Sequence, residues 1–226
     1  MEHMRTLLPM LCMLAGALAL PAESVDSILS RMDQAAPIFH GVSADIQMVT
    51  YTAIIGDTTQ ETGTFKMQRK GSVFRAIIDF SGQNDAREIA FLGNIIRMYY
   101  PKLKMYQDYD VGKNGDVLNQ FLLLGFGSSG KELAQSYEIS AAGTEKVSGT
   151  DTTKLLLLPK SAGVKEHLSK IEMWIPGNAA YPIQQQFYEP TNGNYRRVTY
   201  TNVKLNPSFK GNFELKLPSG VKRRNP

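Results

Sequence analysis

Residues 171–218 constrain the fold more than any other part of this chain. They read I-E-M-W-I, a Pro-Gly-Asn turn, Y-P-I-Q-Q-Q-F-Y, N-G-N-Y-R-R-V-T-Y-T-N-V-K-L-N and finally F-E-L-K-L-P. Each run has the length of a strand, is rich in aromatic and β-branched residues, and is fenced by Gly, Pro or Asn. No helix-sized spacer separates them, so they are expected to pair as consecutive antiparallel hairpins. The sheet they make has an apolar face and no set of catalytic side chains on it. Such a face suits holding an apolar molecule better than reacting with one.

The same period of two governs most of the chain. Strands are predicted at about 42–55, 62–70, 73–80, 86–92, 95–100 and 103–109, and again near 136–142, 145–150 and 152–159. Gly93-Asn94 predicts a type II′ turn and Asn192-Gly193 a type I′ hairpin. Ahead of the first strand, Ser24 to Ser27 offer N-cap oxygens, and Ile28, Leu29, Met32, Ala35 and Ala36 fall at helical spacing until Pro37 stops them. Residues 114–135 break the β pattern. Asn114 or Asp116 can cap a short apolar helix at about 117–124, followed by a glycine-rich loop and a further helical turn. Because each element has one apolar side to bury, the expected fold is mainly β (α+β). A curved antiparallel sheet would have its concave face covered by the N-terminal helix and the short helical insert.

The N-terminus points to export. Arg5 precedes an apolar run over residues 7–20, and Ala17-Leu18-Ala19 or Leu20-Pro21-Ala22 supplies a cleavage site. The expected organisation is a signal peptide over 1–22 and one domain over 23–226, with cleavage after Ala19 or Ala22. Cys12, the single cysteine, lies inside the signal behind a bulky Leu11, where lipid attachment needs a small residue. The mature chain would then hold no thiol, which excludes disulfides, thiolate zinc sites and a cysteine nucleophile. A net charge of +4 is spread thinly apart from Lys222, Arg223 and Arg224, unlike the dense basic stripe that nucleic acids require.

Three motifs invite a chemical reading. Gly125-Phe-Gly127-Ser-Ser-Gly130-Lys131 matches G-x-G-x-x-G literally and lies close to a phosphate-binding loop. Both phosphate motifs need a βαβ setting, whereas the flanks here are antiparallel β and Glu132 replaces the hydroxyl that holds magnesium. A flexible hinge after a short helix is the expected role. His40 and His167 lack partners at metal-ligand spacing, and no serine sits in a nucleophile elbow, so no metal, cofactor or catalytic site is expected. The third is Arg69, which shares a strand face with Phe65 and Met67 by parity. An unpaired buried charge is costly. Arg69 therefore either ends the strand and reaches water, or donates to backbone carbonyls of the covering insert as a breakable latch. The large apolar side chains Phe65, Met67, Phe74, Phe91, Met98, Phe121, Leu122, Leu123, Phe126, Met173 and Phe187 are either ordinary core or the lining of a cavity. The chain's methionines, adaptable in shape, lean slightly to the second.

The residues resemble the LolA/LolB family of periplasmic lipoprotein carriers and sorting proteins. Phe39-His-Gly-Val-Ser-Ala-Asp-Ile-Gln follows the first helix as the family's N-terminal signature does. Gly63-Thr-Phe-Lys-Met-Gln-Arg-Lys-Gly-Ser-Val-Phe-Arg resembles its G-x-F-x-x-x-R-P-G-x-F-R stretch, with Lys70 in place of Pro. Leu92-Gly-Asn-Ile-Ile-Arg-Met-Tyr-Tyr-Pro resembles its D-G-x-x-L-W-x-Y-x-P hairpin, and the tail from Ile171 to Val221 matches the closing pattern in order and spacing. The resemblance implies an incomplete β-barrel lidded by helices, whose hollow takes lipoprotein acyl chains. It places the family's lid-latching arginine on Arg69 and the mature protein in the periplasm. It also implies an inner-membrane release complex and an outer-membrane receptor as partners.

Three functional readings follow. The leading one is a monomeric, non-catalytic soluble carrier that binds acylated lipoproteins or lipid and shuttles lipoproteins from the inner to the outer membrane. A second is a binding or sorting protein for another amphiphile, such as a glycolipid. In the third the concavity is filled by the protein's own side chains and serves as an interaction scaffold.

Overall fold

The computed structural model describes residues 23–71, 73–80, 82, 85–110, 112, 124–210 and 213–225. Helix α1 (Val25–Ala35) starts where the sequence predicts, with the Ser24 side chain accepting from the Ser27 amide at 3.2 Å. Pro37 sits in a 3-10 turn (Ala36–Ile38) that ends the helix. Ile28 and Met32, one turn apart, are fully buried. Burial of side chains of this size is worth about 1.5–3 kcal/mol each, and it fixes which side of α1 faces the sheet. Arg31 holds the helix end, pairing with Glu23 and donating from Nε to the Ala179 carbonyl at 2.7 Å.

Two meanders make the sheet. The first comprises β1 (Gly41–Thr52), β2 (Asp57–Lys70), β3 (Val73–Asp79), β4 (Glu88–Leu92), β5 (Ile95–Tyr100) and β6 (Met105–Asp110). After α2 (Gly130–Ser136), the second comprises β7 (Tyr137–Val147), β8 (Thr150–Pro159), the short helix α3 (Ala162–Lys165), β9 (Lys170–Pro176), β10 (Gln184–Tyr188) and β11 (Tyr195–Leu205). Antiparallel pairing of β1 with β11, with Ile46 opposite Tyr200, joins the meanders into one sheet. A last short strand, β12 (Lys222–Arg223), lies parallel to β6. The strand order is β12-β6-β5-β4-β3-β2-β1-β11-β10-β9-β8-β7, and the two edge strands do not meet. The sheet is thus a curved, incomplete barrel, mainly antiparallel, with α1 covering the concave face.

Three local expectations are corrected. The strands predicted near 136–142 and 145–150 are one strand, β7 (Tyr137–Val147), because a bulge at Ala141/Thr144, with Gly143 at φ 99°, carries it through to a turn at Ser148-Gly149. Asn192-Gly193 is not a type I′ turn, since only Gly193 of the pair has positive φ. A longer loop forms because the Glu189 carboxylate accepts from the Asn192 and Asn194 side-chain amides at 2.7 and 3.0 Å. The run from Phe213 to Leu217 is not the closing strand. Leu215 and Leu217 cover Ala90, Tyr99 and their neighbours on the outer face, and Phe213 is buried edge-on against Phe209. The chain then continues into β12.

The concave face carries two apolar clusters side by side. One lies beneath α1 and α2 over the second meander and contains Leu155, Leu157, Ile171, Met173 and Ile175. The other, over β1 to β4, contains Val42, Ile46, Phe65, Met67 and Ala76.

Candidate functional site

The two clusters meet under a short segment that precedes α2. Leu124 and Phe126, each 1% exposed, point into different clusters, Leu124 into the first and Phe126 into the second. Phe126 sits in an aromatic cage, stacked on Tyr181 at 5.7 Å, edge-on to Tyr200 at 5.0 Å and tilted to Phe65 at 6.1 Å. Aromatic contacts of this geometry add to simple area burial.

The glycines around Phe126 are packing devices, which corrects the expected flexible hinge. Gly125 and Gly127 have φ of +86° and +76°, conformations that L side chains rarely adopt. A Cβ at Gly125 would lie 2.5 Å from Pro182, and one at Gly127 would enter the Phe39 ring. A Cβ at Gly130 would run into the Leu29 carbonyl of α1. The phosphate-loop likeness dissolves in the same geometry. Ser129 caps α2 by accepting from the Glu132 amide at 3.1 Å, while Glu132 accepts from the Ser129 amide at 2.9 Å. Glu132 is thus the reciprocal partner of a capping box. Of the helix expected at about 117–124, only Leu124 lies within the described residues, and it belongs to the turn leading into Phe126.

Two side chains from the sheet hold this segment. Gln185, 2% exposed on the concave face of β10, donates from Nε2 to the Leu124 carbonyl at 2.7 Å. Its Oε1 accepts from the Tyr200 hydroxyl at 2.7 Å. Burial raises the Tyr200 phenol above its ordinary range, so it stays a proton donor. Arg69 lies at the segment's other end. Its Nη1 donates to the Gly127 carbonyl at 3.4 Å, and its guanidinium covers the Phe74 ring at 5.2 Å.

The named apolar residues divide between the clusters. Phe65, Met67, Phe74, Phe91 and Phe126 gather in one, and Met173 and Phe187 in the other. Met98 lies on the same face, opposite Ile89, but in neither cluster. Phe121, Leu122 and Leu123 lie outside the described residues. Gln185 and Tyr200 were not singled out by the sequence reading. The signal was there: in Y-P-I-Q-Q-Q-F-Y the middle glutamine has the parity of Ile183 and Phe187, an anomaly of the same kind as Arg69.

Two spaces flank the segment. A small apolar cavity of about 70 Å³ lies between Met32, Phe39, Phe126 and Tyr181. A cleft of about 250 Å³ lies between Arg69, Phe74, Leu124, Leu133 and Tyr137. The Tyr137 hydroxyl is buried without a partner, and burial pushes its pKa up from 10.0 to about 12. A cavity of about 70 Å³ is far below the roughly 300–1,000 Å³ of ordinary ligand pockets, and displacing Phe126 from its wall would enlarge it. With apolar side chains, an amide, phenols and one guanidinium, the arrangement can enclose hydrocarbon and hydrogen-bond a carbonyl. No group of three or more His, Cys, Asp or Glu among the described residues is placed to hold a metal.

No family model and no curated protein sequence matches the chain. Solved structures do match. An uncharacterized conserved protein from Thermus thermophilus superposes with a TM-score of 0.53 at 9% identity, over 90% of this chain and 100% of that one. A domain assigned to outer membrane lipoprotein sorting in Vibrio parahaemolyticus gives 0.44 at 13% identity, over 83% and 94%. A LolA superfamily protein from Nitrosomonas europaea gives 0.38 at 13%, over 83% and 96%. At 9% identity the likeness to the Thermus thermophilus protein is one of fold.

Proposed function

We propose that this chain is an exported carrier that encloses the acyl chains of lipoproteins and moves them from the inner to the outer membrane. One observation carries the reading. The apolar concave face is plugged by Leu124 and Phe126, on a segment tied down by side-chain hydrogen bonds rather than by strand pairing. Lifting it would expose two contiguous apolar clusters while the sheet beneath stays intact. Each methylene buried there gains about 0.8 kcal/mol, so two or three chains would keep an acylated protein soluble across an aqueous gap. Phe65, Met67, Phe74, Phe91, Met173 and Phe187 would line that space, and Arg69 would help latch the segment through Gly127. The export signal read at residues 1–22 lies outside the described residues. Among those described, no helix is long and apolar enough to cross a membrane. The sequence resemblance supports a periplasmic location with a release complex and a receptor as partners.

The experiment is native mass spectrometry of residues 23–226 purified from the periplasm without detergent, followed by identification of what co-purifies. Acylated peptide or lipoprotein is the expected result. A free lipid or glycolipid would instead make the chain a carrier of another amphiphile. An empty protein that also fails to extract lipoprotein from inner-membrane vesicles would refute the carrier reading.

A further inference from the structure

Gln185 stands at the seam of the concave face. Across the sheet its neighbours are Met173 of β9, in one cluster, and Val198 of β11, in the other. It is a buried amide between two apolar clusters, and one proton of its Nε2 is donated to the Leu124 carbonyl at 2.7 Å. That carbonyl belongs to the segment that must move for a chain to enter. The orientation of the amide is set by its other end. Tyr200 donates to Oε1 at 2.7 Å, and the reversed amide would set its oxygen against the Leu124 oxygen with no proton between them.

We infer that Gln185, oriented by Tyr200, is a carbonyl-recognition point that selects acyl esters or amides over plain hydrocarbon. This rests on the carrier reading above. When the segment lifts, the Gln185 amide loses its acceptor inside an apolar surface, and an unpaired buried donor is costly. A hydrocarbon or ether chain leaves it unpaired. A ligand whose ester or amide carbonyl lies at the root of its acyl chains replaces the Leu124 carbonyl and lets the chains run into the clusters on either side. The Gln185 bond therefore closes the empty protein and recognises the loaded one, exchanging one carbonyl for another at little net cost.

The test compares dioctanoylglycerol with the diether dioctylglycerol, which has equal chains and no carbonyl, as competitors for bound 1-N-phenylnaphthylamine. A synthetic diacylated lipopeptide and its diether counterpart form a second arm. The wild-type chain is expected to prefer ester over ether by about five-fold, the value of one ordinary hydrogen bond. Gln185→Met should abolish the preference, and Tyr200→Phe, which frees the amide to turn, should narrow it. If Gln185→Met does not fold, Tyr200→Phe decides alone. Equal affinity of wild type for ester and ether, or a preference unchanged in the variants, overturns the inference while leaving the carrier reading standing. Failure of every lipid and of the probe to bind overturns the carrier reading itself. An ester preference seen with the lipopeptide assigns the carbonyl to a lipoprotein, and one confined to the diacylglycerol assigns it to a free lipid.

Discussion

Replacing Phe126 by alanine separates a plug from an ordinary core residue. The ring is 1% exposed and touches Phe65, Tyr181 and Tyr200. Deleting such a ring costs about 3–5 kcal/mol. If that loss fell on global unfolding, a chain of this size would melt roughly 6–20 °C lower, at about 2–4 °C per kcal/mol. If the segment over the concave face opens by itself, most of the loss falls on the closed form. The melting temperature then drops by less, because the segment is already open before the sheet unfolds. The open population, and with it the apparent affinity for an apolar probe, rises by up to roughly a hundred- to several-thousand-fold, capped when the segment is fully open. Two assays read this: 1-N-phenylnaphthylamine titration, and hydrogen exchange of the amides at 124–128. A drop in melting temperature of the full size, with probe affinity and exchange unchanged, would refute local opening and leave Phe126 as plain core.

Gly127→Ala should act in the same direction, at about 2–4 kcal/mol, because it combines a left-handed backbone with a clash against Phe39. Gly149→Ala, at φ +84° with nothing within 4 Å of its Cβ, is the control and should cost only the backbone part, seen as a small drop in melting temperature without probe uptake. Tyr137→Phe removes a buried, unpaired hydroxyl and should stabilise by about 1 kcal/mol in a denaturant titration. Burial raises the Tyr137 pKa from 10.0 to about 12, so the folded state holds the proton more tightly than the unfolded one. Its contribution is intact below pH 10 and is lost as pH rises towards 12. The variant should therefore lose less stability over that window, with Tyr188 and Tyr200, also raised, accounting for the remainder. Arg69→Leu loses a hydrogen bond to Gly127 and a cation–π contact, about 1–2 kcal/mol together. It should fold and yet hand cargo on poorly in a transfer assay, and normal transfer would remove the latch role.

Much of the architecture was legible because it is encoded at short range. Ile28 and Met32 announce the buried side of α1 by spacing alone, and Pro37 marks its end. In β2, the alternation of Phe65 and Met67 with Lys66 and Gln68 assigns each to its face. One misreading is local: Glu189, three and five positions away, captures two asparagines and lengthens a loop that Asn-Gly alone would make short. The others depend on partners distant in sequence. Phe213, Leu215 and Leu217 alternate as a strand does, but the two leucines cover Ala90 and Tyr99 rather than extending the apolar side of a hairpin. The glycines at 125, 127 and 130 look like freedom in the sequence, whereas Pro182, Phe39 and Leu29 turn the same positions into close packing.

Local pattern was therefore enough for the two meanders, for the face to which each side chain points, and for the helix that must lie across the sheet. Periodicity is a property of a residue and its immediate neighbours, so these follow without knowledge of the rest. Three features came only from the folded chain: β1 pairs with β11, Leu124 and Phe126 plug the seam, and Gln185 meets the Leu124 carbonyl. The last of these contacts alone spans 61 positions, and the strand pairing spans more. Parity places a side chain on a face, but which backbone carbonyl it will find there depends on how the whole chain closes.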